Sequence, residues 1–138
     1  EMKKLSKKLG VNKNLIFVSK MLAPKEMAIY LNMADAFISI PKSDQFGLSV
    51  LEGMACGLVP ILSDSIVSYK QYLNEENAIF VNPNHSVDIS DKINKLIDNI
   101  EFKNQAYSIN KEIIEEHEDW SKNTKKMREL YFKIINKE

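Results

Sequence analysis

The sequence predicts an α/β domain in which a parallel sheet carries helices on both faces. Short, continuously apolar runs alternate with helical segments along the first part of the chain, and strands without polar alternation are those buried on both sides. Pro41 and Asn82 close two of the four runs, a turn signal that separates them from buried helix. The length of 138 residues suits one domain, and a domain of that size buries roughly two-thirds of the surface its unfolded chain exposes.

The elements follow in order. Met2, Leu5 and Leu9 fall at helical spacing and are expected to supply that helix's core contact, with Gly10 just past its end. Lys3, Lys4, Lys7 and Lys8 form its solvated face. Leu15-Ile16-Phe17-Val18 reads as a first strand, and Pro24 occupies a first helical position leading into KEMAIYLNMA. Ala36 to Ile40 is the next strand, stopped by Pro41; Leu48 to Cys56 is helical, with Gly57 at its end. Val59 to Leu62 is a third strand, in which Pro60 requires an edge position, a strand start or a bulge. A short helix around Val67 to Leu73 precedes a fourth strand, Ala78 to Val81, which the turn Asn82-Pro83-Asn84 ends.

The remainder reads as helix. From Ser86 the residues Ile89, Ile93, Leu96, Ile97 and Ile100 share one face, and a second helix covers Asn104 to Glu116. Asp119-Trp120-Ser121 contains N-cap candidates for a third, whose face is Met127, Leu130, Tyr131, Ile134 and Ile135.

Composition excludes several partners. Lys+Arg and Asp+Glu are both 19, so no long-range field recruits nucleic acid or an anionic membrane. The only cysteine, Cys56, rules out an internal disulfide and reads as a small buried hydrophobe. No apolar run approaches the roughly 20 residues of a membrane span, and the first ten residues lack the apolar core of a signal peptide. A cytoplasmic location is expected. His85 and His117 have no metal-ligand partner at useful spacing and read as capping or solvated residues. The chain opens inside a helical pattern without an initiator methionine, which gives the expectation of one piece of a longer protein.

The chemistry is expected in PKSDQFGLSVLEGMACGLVPILSD, residues 41–64. In open parallel sheets, ligands bind beyond the carboxyl ends of the strands, where helix N-termini also point. Asp44 would leave the strand end at the mouth of that crevice, and the helix starting near Leu48 offers unpaired N–H groups and a positive dipole end. Glu52 lies eight positions after Asp44, one turn into the helix and on the side of Leu48 and Ser49. A carboxylate there can accept two hydrogen bonds from a vicinal diol such as a ribose. Taken on spacing alone, Asp44 could equally cap the helix while Glu52 faces water.

The run FGLSVLEGMACGLVPILSD resembles the C-terminal domain of retaining glycosyltransferases of the GT-B architecture, specifically glycosyltransferase family 4, also described as glycosyl transferases group 1. That family's pattern, E-G-F-G-L-x-x-L-E-A-M-A-x-G-x-P-V-I, is matched at Asp44, Phe46, Gly47, Leu48, Leu51, Glu52, Met54, Ala55 and Gly57. LIFVSKMLAPKEMAIYLNMADAFISIPKS resembles the preceding family segment, and Trp120 fits the tryptophan before the family's last helix. The resemblance implies a Rossmann-like parallel sheet forming the C-terminal half of a GT-B fold, here a single partial domain over residues 1–138, truncated at its N-terminal side. It implies a hexosyltransferase-like enzyme of glycan, polysaccharide or glycolipid synthesis that uses a UDP-, GDP- or ADP-sugar as substrate, with no cofactor and no metal.

Residue by residue, the resemblance implies that Glu52 holds the ribose hydroxyls. Asp44 would act as the catalytic carboxylate, contacting the transferred sugar and pyrophosphate together with Phe46, Gly47 and Leu48. Ser49 would join the donor site, and Val18 and Ser19 would lie beside the base. The acceptor glycan or lipid, and the Arg and Lys that neutralise the pyrophosphate, would be bound outside this chain, which alone is expected to be inactive. Peripheral membrane association is left open for the full-length protein.

The chain departs from the pattern in several places. Asp44 stands where the family has Glu, a reach shorter by about 1.5 Å. Gln45 replaces a glycine and Val59-Pro60 reverses the usual Pro-Val. The family's Gly-Gly and following Glu are not recognisable in SIVSYKQYL, residues 65–73. The alternative expectation is therefore a catalytically inactive nucleotide-binding or interaction module on the same fold.

Overall fold

The structure, a computed structural model, describes residues 1–45 and 47–136. Six α-helices and three strands are described: α1 Met2–Lys8, α2 Pro24–Asn32, β1 Ala36–Ser39, α3 Leu48–Ala55, β2 Val59–Ser63, β3 Ile79–Val81, α4 Ser86–Asp98, α5 Ile100–Ile113 and α6 Trp120–Asn136. The strands form a parallel sheet in the order β1-β2-β3. Ala36 pairs with Val59 and Ser39 with Leu62 on one side of β2, and Ile61 pairs with Ile79 on the other.

All five residues of β2 are buried, as a central strand covered on both faces requires. The alternation of its side chains divides the core in two. Leu62 joins Val50, Leu51 and Met54 of α3 with Ile66, Tyr69 and Leu73, and Phe37 of β1 packs against them. Val59 and Ile61 join Val81, Leu96 and Ala106, with Ile89, Ile93 and Phe102 of α4 and α5 around them. Pro60 resolves as the strand-start case: it is the second residue of β2, one position before pairing with β3 begins. Its missing N–H therefore interrupts little of the ladder.

Glycine decides two helix ends and one close approach. Gly10 and Gly57 both have positive φ, at 73° and 81°. After α3 the N–H of Leu58 donates to Gly53 O at 3.0 Å and that of Gly57 to Met54 O at 2.9 Å, the paired pattern that satisfies a helix's last carbonyls. Gly53 has no such φ; a Cβ there would lie 2.9 Å from Cγ of Phe37, so its bare backbone lets α3 settle onto β1.

Several expectations are corrected. Leu15–Val18 is not a strand: Leu15 has extended angles, φ −120° and ψ 128°, but the segment joins no ladder among the described residues and Ile16 is 89 % exposed. Apolar, β-branched composition favours extended backbone, whereas strand status needs a neighbouring edge to bond. Met2, Leu5 and Leu9 are exposed rather than core; α1 packs on the short helical turn Asn12–Asn14 and sets Lys3 over the ring of Phe17. The α4 face ends earlier than its periodicity suggests. Asn99 Oδ1 accepts from the N–H of Phe102 at 3.0 Å, capping a new helix at Ile100, so α5 starts four residues before the expected Asn104. Ile97 and Ile100 are consequently exposed. At its other end α5 stops at Ile113 and continues as a π-helical turn, Ile114–Glu118.

Other local readings hold. Pro24 opens α2, where Glu26 accepts from the N–H of Ala23 and pairs with Lys20. Those two hydrogen bonds hold the Glu26 carboxyl below its ordinary range, the Lys20 bond foremost. His85 caps α4 by accepting from the N–H of Asp88, and Asp119 caps α6 by accepting from that of Lys122. α6 forms as its periodicity predicts, but Met127, Leu130, Tyr131, Ile134 and Ile135 lie exposed on it. No helix among the described residues is long and apolar enough to cross a membrane.

Candidate functional site

The loop from Pro41 to Gly47 leaves the carboxyl end of β1 and enters α3, whose first-turn N–H groups face back towards that loop. Asp44 lies in it, exposed, with Oδ2 accepting a 2.7 Å hydrogen bond from the hydroxyl of Tyr69. Gly47 precedes the first helical residue with φ −72° and ψ 119°, angles open to any residue. A Cβ here would stand 3.1 Å from Asp44 Oδ2, a close approach, and 3.5 Å from Ser49 Oγ, an ordinary contact. Asp44, Gly47 and Ser49 are thus brought together at the opening of α3. Among the described residues Asp44 bonds to Tyr69 and makes no capping bond to α3, which speaks against the simple-cap reading of this carboxylate.

Leu48, Ser49 and Glu52 occupy the exposed side of α3, while Val50, Leu51, Gly53 and Met54 occupy the buried side. Glu52 stands about 6 Å further along the helix axis than Leu48, by the rise of four residues. It borders a cleft of about 320 Å³ that Leu22, Met27 and Leu31 line from the α2 side. Leu22, rather than Val18 or Ser19, is the residue of the preceding segment that lines it. Cys56 is half-buried in the same cleft, with Sγ 3.7 Å from the Asn32 amide, and is less enclosed than the expected core thiol. Phe46 lies outside the described residues.

Tyr69 is the residue that reading the sequence missed. It sits in the tight helical turn Val67–Gln71 after β2, inside the segment where the family pattern is unrecognisable. Its ring is fully buried among Val50, Leu51, Met54 and Leu62. Because β1 and β2 are neighbours, the loops at their carboxyl ends are too, and the phenol spans the gap to Asp44. Burial, and then the bond to Asp44, raise the tyrosine's pKa above 10.0, against a smaller opposing hydrogen bond from Ser39 at the end of β1. The phenol therefore keeps its proton at neutral pH and is the donor in this bond. Only its aromatic character in an otherwise unremarkable loop could have flagged Tyr69 beforehand.

Among the described residues no group of three or more His, Cys, Asp or Glu side chains is placed to hold a metal ion. Trp120 opens α6 and is 83 % exposed.

A family model described as "Glycosyl transferases group 1" matches residues 1–127. No curated protein sequence matches the chain. Among solved structures, sucrose-phosphate synthase from Thermosynechococcus elongatus superposes with a TM-score of 0.79 at 19 % identity, covering 99 % of this chain and 34 % of that one. HepE from Anabaena, in complex with UDP and glucose, gives 0.81 at 15 % identity, covering 94 % and 35 %. The C-terminal domain of a glycosyl transferase group 1 family protein, LpcC, from Francisella tularensis gives 0.75 at 21 % identity, covering 86 % and 61 %. The chain thus spans about a third of the first two. The fold is that of the Rossmann-like C-terminal half of GT-B glycosyltransferases.

Proposed function

The chain belongs to the glycosyl transferases group 1 family, and on that premise we propose that it is the donor-binding part of a retaining, family 4 glycosyltransferase. Such an enzyme moves a hexosyl group from a nucleotide-sugar to an acceptor in glycan, polysaccharide or glycolipid synthesis. The observation that carries the reading is Asp44 held before the opening of α3, with Glu52 one turn along the same exposed side.

In this reading the Glu52 carboxylate accepts hydrogen bonds from the two ribose hydroxyls. Asp44 lies against the transferred sugar, and main-chain groups of Phe46, Gly47 and Leu48, with Ser49, meet the sugar and pyrophosphate. The base sits near Val18 and Ser19; of that segment, Leu22 is the residue that lines the cleft bordered by Glu52. The helix N-terminus stabilises charge gathering on the departing pyrophosphate, in the manner of a preorganised dipole. No metal and no cofactor enter. The match to HepE, whose complex holds UDP and glucose, supports a nucleoside diphosphate in this crevice. The acceptor, a glycan or lipid, is bound by a second half that these 138 residues do not contain, and the full-length protein works in the cytoplasm.

Glu52→Ala in the full-length protein tests the site. The donor's dissociation constant should rise at least tenfold, about 1.4 kcal/mol, by titration calorimetry with the UDP-, GDP- or ADP-sugar that binds wild type. Unchanged affinity would remove Glu52 from the donor site.

One observation favours the second reading, an inactive module. Asp44 is a methylene shorter than the family's Glu and spends one oxygen on Tyr69. Donor turnover by the full-length protein decides against that module; tight nucleotide binding without turnover decides for it.

A further inference from the structure

Resting on the reading of Asp44 just given, we propose that Tyr69 is a positioning residue that fixes the Asp44 carboxylate in the donor crevice.

A carboxylate on an exposed loop has free rotation about two bonds, and a site meant to act on a sugar needs it held to within a fraction of an ångström. Asp44 is held at Oδ2, and Gly47 leaves room for that oxygen. Tyr69 Oη holds Oδ2 at 2.7 Å, and the bare Cα of Gly47 allows the same oxygen to approach where a Cβ would stand 3.1 Å away. Among the described residues no other hydrogen bond reaches this carboxylate, so none of them engages Oδ1.

The constraint is only as good as its anchor, and the anchor is rigid. Tyr69 is 0 % exposed, wedged between α3 and β2 in the core, so its hydroxyl is set by packing and not by the loop it serves. Its N–H donates to Ile66 O and its carbonyl accepts from Leu73, which fixes the turn as well. The proton stays on the phenol, which donates to an acceptor-only carboxylate.

This arrangement also accounts for the shorter side chain. An aspartate whose Oδ2 rests on Tyr69 stops at a defined place, while a glutamate would carry its carboxylate about 1.5 Å beyond that stop.

The test compares Tyr69→Phe, Asp44→Ala and the double variant in the full-length protein, with the donor chosen from UDP-, GDP- and ADP-sugars by turnover of wild type. Tyr69→Phe keeps the buried ring and should lower kcat by roughly tenfold to a hundredfold, the scale of an ångström misplacement, with donor KM within about twofold. Asp44→Ala should lose at least as much, and adding Tyr69→Phe to it should cost nothing further, because Tyr69 acts through Asp44. Full kcat in Tyr69→Phe beside a crippled Asp44→Ala overturns the positioning role alone. An equal loss from Tyr69→Phe in both backgrounds also overturns it, since that is what a purely structural tyrosine does. Full kcat in Asp44→Ala, or no turnover with any donor, overturns the underlying reading of the site. Crystal structures give a readout independent of turnover: the Asp44 carboxylate should shift by about 1 Å in Tyr69→Phe, the distance that matters for rate. An unmoved carboxylate overturns the proposal.

Discussion

Asn77 and Asn110 exchange hydrogen bonds in the interior: Asn77 Nδ2 donates to Asn110 Oδ1 at 3.0 Å, and Asn110 Nδ2 donates back to the Asn77 carbonyl at 3.0 Å. Both residues are 0 % exposed. Asn77 also accepts from the N–H of Asn74 and donates to Tyr72 O, so one side chain organises the turn before β3 while Asn110 fastens that turn to α5. Asn110→Ala would take from the buried Asn77 amide one of its two acceptors and from the Asn77 carbonyl its side-chain donor, at roughly 1–3 kcal/mol for such a loss. Urea denaturation should show the midpoint fall with an unchanged slope, and an unaltered midpoint would mean the turn is held by other contacts.

Gly53 makes the second prediction, because helix propensity and packing disagree there. Alanine should favour an α-helix over glycine by up to about 1 kcal/mol, yet its Cβ would sit 2.9 Å from Phe37 Cγ and 3.0 Å from Phe37 Cβ. Those ring and stem atoms are fixed in the sheet, so α3 must lift away. Overpacking of this kind costs about 1–3 kcal/mol, and Gly53→Ala should therefore destabilise. The family pattern carries alanine at this place; Phe37→Leu combined with Gly53→Ala should recover part of the loss if the ring is the cause.

The buried phenol gives a dependence on pH with a definite sign. Tyr69 titrates higher in the folded protein than its ordinary 10.0, through burial first and the Asp44 bond second. The unfolded chain therefore releases that proton first, so the contribution to stability is complete below about pH 10 and is lost as pH rises towards the higher folded value. Wild type should lose stability through that alkaline window more steeply than Tyr69→Phe. Parallel curves for the two proteins above pH 10 would contradict the assignment.

Glu52 and Tyr69 supply the functional predictions already stated, a donor-affinity loss for Glu52→Ala and a kcat loss for Tyr69→Phe. They separate ligand holding from carboxylate placement. An enzyme in which Glu52→Ala weakens the donor while Tyr69→Phe leaves its affinity alone would display both roles at once.

The order of strands and helices after residue 23 was legible because it follows local rules. Pro24 can start a helix and not continue one, Gly10 and Gly57 adopt the positive φ that ends a helix, and His85 and Asp119 bond the first free N–H groups. The uninterrupted apolar run of β2 announced a strand buried on both faces. Asp44, Gly47, Ser49 and Glu52 were likewise visible as a group, since one loop and two helical turns join them.

Tertiary structure decided what depends on segments far apart in the chain. Leu15–Val18 has strand composition, but a strand exists only when another edge accepts its hydrogen bonds. Met2, Leu5 and Leu9 have helical spacing, which orders a face without saying what covers it. Tyr69 and Asp44 are separated by 25 positions, and no periodicity or turn signal relates them. Their meeting follows from β1 and β2 lying side by side with carboxyl ends together, and from a core that holds one ring immobile beneath an exposed carboxylate.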